Sequence, residues 1–285
     1  MGHLRDRFDA DLRLAGRSKS TRACYMRCAR TFVKYYMKPA DVLGEKEVRA
    51  FLLFLIETRK VSVSYYVQHV AALRFLYRVS LRKPEVVAGI PFPRIPRSRP
   101  NVMTRDEVRR VIEATKSPFW RTFFATGYAS GLRRMEVAQL RVEHIDADSG
   151  LIRVVGGKGG KDREVMLDPM LLAALRRHWR AQGLPGPWLF PARGARGGKW
   201  QDRPVSLNMA TKVFGVSRVA SKVRRRFSLH GLRHAFATHL VEDGVDVQVV
   251  QVLLGHERIE TTTRYTLVRT DRIRATASPL SKLWR

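Results

Sequence analysis

Acidic side chains are scarce in this chain. Only 25 Asp and Glu stand against 54 Lys and Arg in 285 residues, a formal charge of +29. So large an excess opposes compaction unless a polyanion screens it, which makes nucleic acid the leading partner. Residues 1–100 carry +13 of that charge and the rest +16, so both halves are basic, as expected of a protein that grips its ligand from two sides. The few carboxylates form no cluster suited to holding two magnesium ions for phosphodiester cleavage. Cysteine is nearly absent. Cys24 and Cys28 are too few for a disulfide framework and lack the partners of a zinc site. Four apart in a helical pattern, they read as buried thiols in a reducing cytoplasm. No long apolar run or signal peptide is present, so no membrane partner is expected and the location is read as cytoplasmic, with the nucleoid.

Glycine and proline are almost missing from residues 17–83, where apolar and charged positions alternate at helical spacing. Phe8, Leu12 and Leu14 mark a first helix. Ser20-Thr21 reads as the cap of a second, carrying Tyr25, Phe32, Val33 and Tyr36 and stopping at Pro39. Val48, Phe51, Leu52, Leu55 and Ile56 make a third, and a fourth starts near Ser62 with Tyr66, Val70, Leu73 and Tyr77. Together they predict a helical bundle over 1–83 whose outward Arg22, Arg27, Arg30, Lys34, Arg74 and Arg78 face phosphates or simply solvent. The next stretch, 84–101, contains five prolines. Proline fixes φ and removes a donor, so it reads as a stiff, extended, basic linker. At this length two domains are the natural division, 1–83 and 102–285.

The second domain opens with a capping box, Thr104 to Glu107. Helix is predicted from Pro118 to Ser130, broken by Gly131 and resuming near Leu132. Leu151–Val155 and Arg163–Leu167 flank a glycine-rich turn and read as a hairpin. Leu171–Arg180 returns to helix, 184–204 reads as loop, and Ser206 caps a helix to about Ser221. The last helices span about 229–242, ending at Gly244, and 247–254, capped by Asp246 and stopped by Gly255. The fold class is therefore mainly α with a small β-sheet.

Several chemistries fail on spacing. In GGKGGK, Lys161 is followed by Asp162 rather than Ser or Thr, and a strand follows where a phosphate loop needs a helix. His230 and His234 could share a helix face, but the Glu of a zinc protease motif is missing. No metal or other cofactor is expected. Phosphate chemistry without a metal needs arginines, and Arg133 and Arg233 each follow a Gly-Leu pair at a helix start among apolar neighbours. Two guanidiniums could clamp the non-bridging oxygens of one phosphate; a structural ion pair such as Arg133–Glu136 is the plainer reading. Tyr265 lies in TTTRYT, soon after the Gly255-His256 helix stop. A phenol with a pKa of about 10 needs help to act as a nucleophile, from His230 or from the phosphate clamp.

The boxes GLRRMEVAQL, GKGGKDREV, LHGLRHAFATHLVEDGVDVQVVQVLLGH and ETTTRYT, in that order and spacing, resemble those of the tyrosine recombinase (phage-integrase-type) family. The likeness covers almost the whole chain, including a core-binding domain at the N-terminus. It implies a site-specific DNA recombinase, with the two domains closing as a C-shaped clamp on double-stranded DNA. Arg133 and Arg233 would be the phosphate clamp, and Lys158 the acid that protonates the leaving 5′ oxygen. Lys161 is the alternative acid. His230 would act as acid or base beside the nucleophile, and His256 would bond a non-bridging oxygen. Tyr265 would form a 3′-phosphotyrosine, which needs neither ATP nor metal. Glu136 and His234 also match family positions and read as structural support, and His239 as packing. The resemblance further implies a monomer in solution, a homotetramer on paired DNA sites, and a tail whose Ile273, Leu280, Leu283 and Trp284 anchor on a neighbouring protomer. A second recombinase or accessory protein is a possible partner. The biological role divides between resolution of chromosome or plasmid dimers and integration of a mobile element, the ending favouring the second.

Arg134-Met135 departs from the small or polar pair common before Glu136, adding charge beside the clamp. Rival readings are a type IB topoisomerase, a non-catalytic regulator on the same scaffold, and a general RNA or DNA binder. Backbone charge neutralisation predicts steep salt dependence. With roughly 6–10 phosphates contacted, DNA affinity falls about 10³-fold or more between roughly 50 and 200 mM salt, measured by fluorescence anisotropy, whereas a flat profile contradicts the grip.

Overall fold

A computed structural model describes residues 2–93, 101–156, 162–183, 186–194, 198–255 and 278–283. The chain divides into two compact units, Met1–Arg99 and Pro100–Arg285. The architecture is mainly α-helical with two small antiparallel sheets.

The first unit contains α1 (Gly2–Leu14), α2 (Lys19–Tyr36), α3 (Glu45–Glu57) and α4 (Val63–Phe75). Ser18, not the Ser20-Thr21 pair, caps α2, its hydroxyl accepting from Thr21 N at 3.2 Å. Capping two residues earlier satisfies a first-turn donor and leaves Ser20 and Thr21 inside the helix. Phe8, Leu12, Phe32, Phe51, Leu55 and Val70 form the centre of the core, while Leu14 and Ile56 fall on exposed sides. Cys28 is buried, and burial pushes its thiol up to about 12. Cys24 is only half-buried and donates to Gln68 Oε1 at 3.0 Å.

A π-helical turn, Leu76–Ser80, prolongs α4 and places Tyr77 wholly inside the unit. There its hydroxyl lies 2.9 Å from the Ala40 carbonyl and 3.0 Å from that of Leu43. The chain over 84–90 departs from an extended linker. Pro84–Val87 is a 3-10 turn, with proline at its first position where no donor is needed, and Val86, Val87 and Ile90 are buried in this core. Proline content alone does not distinguish a stiff connector from a turn with apolar residues to bury.

The second unit holds α5 (Arg105–Glu113), α6 (Pro118–Ser130), α7 (Arg134–Ala138), α8 (Pro169–Ala181), α9 (Leu207–Ala220), α10 (Gly231–Glu242) and α11 (Val247–Leu254). The Thr104–Glu107 capping box forms as expected. The predicted hairpin is β2 (Leu151–Val154) with β3 (Arg163–Met166), in register Ile152↔Val165, and a short β1 (Ile145–Asp146) adds a third strand. The 184–204 stretch is not all loop. β4 (Pro191–Arg193) and β5 (Trp200–Pro204) pair antiparallel within it. The two prolines within these strands, Pro191 and Pro204, sit at the first residue of β4 and the last of β5, opposite each other beside a bulge, where a missing N–H is tolerated.

α6 runs through the middle of this unit, with Phe123, Phe124 and Tyr128 buried against α10, α8 and α9 residues such as Phe236, Leu175 and Phe214. Residues 278–283 return to the same core. Ser278 donates to the Ala129 carbonyl at 2.8 Å, and Leu280 and Leu283 are buried on their own chain. Ile273 and Trp284 lie outside the described residues.

Tyr77→Phe removes the one hydroxyl that bonds the two carbonyls. The variant is expected to lose about 1–2 kcal/mol of stability in urea denaturation of the full chain with little change in fold, and an unchanged midpoint would contradict the pairing.

Candidate active site

Two helices of the second unit stop on glycines in the left-handed region, α6 at Gly131 (φ 62°) and α11 at Gly255 (φ 60°). Helices end with carbonyls that lack internal partners, and these two aim theirs at arginines. Arg233, in the first turn of α10, donates from Nη1 to the Gly131 carbonyl at 2.8 Å and from Nη2 to the Leu254 carbonyl. Arg133, just before α7, donates from Nη2 to the Gly255 carbonyl at 2.9 Å. Arg163, the first residue of β3, donates from Nε to the Leu253 carbonyl at 2.9 Å. Cations are favoured at helix C-termini by the backbone dipoles. A Cβ on Gly131 would stand 2.3 Å from the Phe236 ring, so the close approach of α6 and α10 requires glycine there.

Glu136 joins the arginines. Its Oε1 accepts from Arg133 Nη1 at 2.7 Å and Arg163 Nη1 at 2.9 Å; its Oε2 accepts from the Arg133 backbone N–H and from Arg163 Nη2, both at 2.7 Å. Arg233 Nη1 stays 3.9 Å from Oε2, an ionic contact beyond hydrogen-bond reach. The Arg133–Glu136 ion pair anticipated as the plainer reading is thus present, yet it does not account for the other two arginines. Three guanidiniums and one carboxylate leave the cluster a net +2, with side-chain exposures of 24% for Arg133, 9% for Arg163 and Glu136, and 5% for Arg233.

Burial alone would raise the Glu136 carboxyl. The hydrogen bonds and charge of Arg163 and Arg133 outweigh it and hold the group at about 2. For Arg233, burial and then the charges of Arg133 and Arg163 push the guanidinium down to about 10, still cationic at neutral pH. An anion arriving here relieves like-charge repulsion among the arginines.

His230 stands exposed at the start of α10, its ring edge-on to that of exposed His234, with centroids 4.7 Å apart. Desolvation, then the neighbouring His234 and the charges of Arg233, Arg134 and Arg133, hold its pKa below the ordinary 6.5, favouring a neutral imidazole able to accept a proton. His239 is buried beneath, its Nδ1 hydrogen-bonded to the Tyr128 hydroxyl at 2.9 Å. Lys158, Lys161, His256 and Tyr265 lie outside the described residues. The hairpin turn bearing both lysines is closed at its base, where Gly156 N donates to Asp162 Oδ1 at 2.9 Å. Among the described residues no group of three or more His, Cys, Asp or Glu could hold a metal ion, and no helix is long and apolar enough to cross a membrane.

Residues 101–272 match the model of the phage integrase family, and residues 4–85 that of the phage integrase N-terminal SAM-like domain. The chain belongs to the phage integrase family. As a member it is a tyrosine recombinase, an enzyme of site-specific recombination. A putative integrase/recombinase, y4qK, of Sinorhizobium fredii is 36% identical to this recombinase over 284 residues, 99% of this chain and 90% of the relative. The tyrosine recombinase XerA of Pyrococcus horikoshii is 31% identical over 271 residues, covering 94% and 90% of the two chains. In fold, the chain is similar to lambda integrase bound to DNA, with a TM-score of 0.71 at 19% identity over 91% of this chain and 93% of that one.

Arg163 is the member of the cluster that sequence reading passed over. Its box, GKGGKDREV, stood out for its lysines, and an arginine opening a strand is ordinary by itself. The available signal was position, because the residue sits where the hairpin leaves its turn and enters a buried strand.

The lowered Glu136 carboxyl stabilises the folded state fully above its ordinary 4.5, and that contribution drains away as pH falls toward about 2. On the order of 3 kcal/mol is at stake. Denaturation across this window should show the wild type losing stability more steeply than Glu136→Gln, which has no carboxyl to protonate; parallel curves would contradict the assignment.

Proposed function

We propose that this recombinase cleaves and rejoins double-stranded DNA through a covalent 3′-phosphotyrosine on Tyr265. The observation that carries this reading is the convergence of Arg133 and Arg233 on one Glu136 and on the end of α11, in a cluster of net positive charge. A scissile phosphate entering it would meet guanidiniums suited to binding its two non-bridging oxygens and stabilising a pentacoordinate transition state.

In that reaction the Tyr265 oxygen attacks phosphorus and bonds to it as the bond from phosphorus to the 5′ oxygen breaks. The tyrosine proton passes to His230, whose depressed pKa keeps it free to accept. Lys158 gives a proton to the departing 5′ oxygen, with Lys161 the alternative donor three residues on. His256 bonds a non-bridging oxygen. The ester retains the bond energy, so a 5′ hydroxyl from a partner strand can reverse the step with neither ATP nor metal.

The basic surface of both units supports DNA as the partner, +13 of the charge lying in residues 1–100. Each protomer cuts one strand, so exchange between two duplexes calls on four. Lambda integrase, similar in fold at a TM-score of 0.69 and 20% identity, has been solved as a tetramer bound to a Holliday junction. The proposed assembly is accordingly a homotetramer formed on DNA from monomers. The proposed division of the chain is a DNA-binding bundle ahead of the Pro-rich segment and a catalytic domain after it.

Covalent trapping tests the reading. The protein is incubated in EDTA with a panel of nicked suicide duplexes drawn from the DNA flanking its gene, beside Tyr265→Phe. An SDS-resistant adduct is expected with wild type, carrying DNA by its 3′ phosphate and absent from the variant. An adduct that survives Tyr265→Phe, or that needs a divalent metal, would overturn the mechanism.

A further inference from the structure

A carboxylate offers about four acceptor positions, and in Glu136 each oxygen already takes two donors. Arg133 supplies two of the four and Arg163 the other two. Arg163 binds in the fork geometry that only a guanidinium can adopt, Nη1 to Oε1 at 2.9 Å and Nη2 to Oε2 at 2.7 Å, and its Nε–H goes to the Leu253 carbonyl. Three of its five N–H donors are thus given to protein, with both Nη atoms turned onto the carboxylate. Its charge partner is Glu136 rather than a phosphate.

What it does instead follows from its neighbour. Arg233 lies 3.9 Å from Glu136 Oε2, close enough to be drawn in and yet unbonded, because the lone pairs facing it are taken. In surroundings this buried, an unfilled carboxylate beside a guanidinium would close that gap and form the pair. We infer that Arg163 is a positioning residue which saturates Glu136 and so keeps Arg233 from collapsing onto it, leaving Arg233 available to the scissile phosphate.

The same side chain also fixes the end of α11. Its Cδ lies 3.0 Å from where a Cβ on Gly255 would be, and it holds the Leu253 carbonyl while Leu254 and Gly255 give theirs to Arg233 and Arg133. Three successive carbonyls of one helix end thus meet three different arginines. Arg163 holds the first, and so sets where the next two point. Because it opens β3, it also ties this arrangement to the hairpin whose turn carries Lys158 and Lys161. The inference rests on the phosphate-clamp reading of Arg133 and Arg233.

The test compares Arg163→Ala and Arg163→Lys with wild type in single-turnover cleavage of the nicked duplex that wild type cleaves, and of the same duplex with a methylphosphonate at the scissile position. Methylphosphonate removes the negative charge that the clamp serves. Arg163→Ala is expected to slow cleavage of the phosphate substrate on the order of 10²-fold, with DNA affinity unchanged. Arg163→Lys keeps the charge but not the fork and is expected to remain slow by about ten-fold. On methylphosphonate both deficits should shrink toward wild type. Equal deficits on the two substrates, or full activity of Arg163→Lys, would overturn the assignment. If Arg163→Ala does not fold, the lysine variant decides the same question. A deficit of Arg233→Ala that stays the same on methylphosphonate would overturn the clamp reading itself, whereas normal cleavage by Arg163→Ala would overturn only the role of Arg163.

Discussion

The second unit depends on one carboxylate filled to capacity. Glu136 takes two donors from Arg133 and two from Arg163, and it remains ionised despite burial because those bonds outweigh the cost of desolvating it. Measured against an apolar pair of the same size, an ion pair of this kind contributes little net stability. Its value here is geometric. It brings residues from α7, β3 and the neighbourhood of α10 to one point, and leaves the cluster short of negative charge by two.

That shortage connects fold to function. A cluster with equal charges would have no reason to bind a phosphate, and one with three unpaired arginines would cost too much to bury. The intermediate solution uses helix ends. α6 and α11 stop on glycines in the left-handed region and offer carbonyl oxygens, which satisfy guanidinium donors without neutralising them. Backbone dipoles thus hold the arginines in place while their full charge stays available to an anion. The tight approach of Phe236 to Gly131 shows how closely α6 and α10 must pack for this to work.

Much of this was legible in the residues. Helix stops at Gly131 and Gly255, the Thr104–Glu107 capping box and the β2–β3 hairpin are local events, set by glycine at positive φ, by side-chain capping and by alternating burial. The misreadings also have a common cause. β4 and β5 hide in a Pro- and Gly-rich stretch because their prolines occupy strand ends, and Pro84–Val87 turns rather than extends because Val86, Val87 and Ile90 have a core to enter. In each case a long-range contact overruled a local preference that composition reported correctly.

Taken alone, the sequence determined the basic character of both halves, the mainly helical architecture and the residues Arg133, His230 and Arg233 as candidates, because charge, periodicity and motif spacing are written along the chain. Only the tertiary structure decided that Arg163 shares Glu136 with Arg133, and that three consecutive carbonyls at the end of α11 each meet a different arginine. Arg163 lies 27 residues from Glu136 and 90 from Leu253. Hydrogen bonding falls off within an ångström, so no pattern along the chain reports a partner that only folding brings within reach.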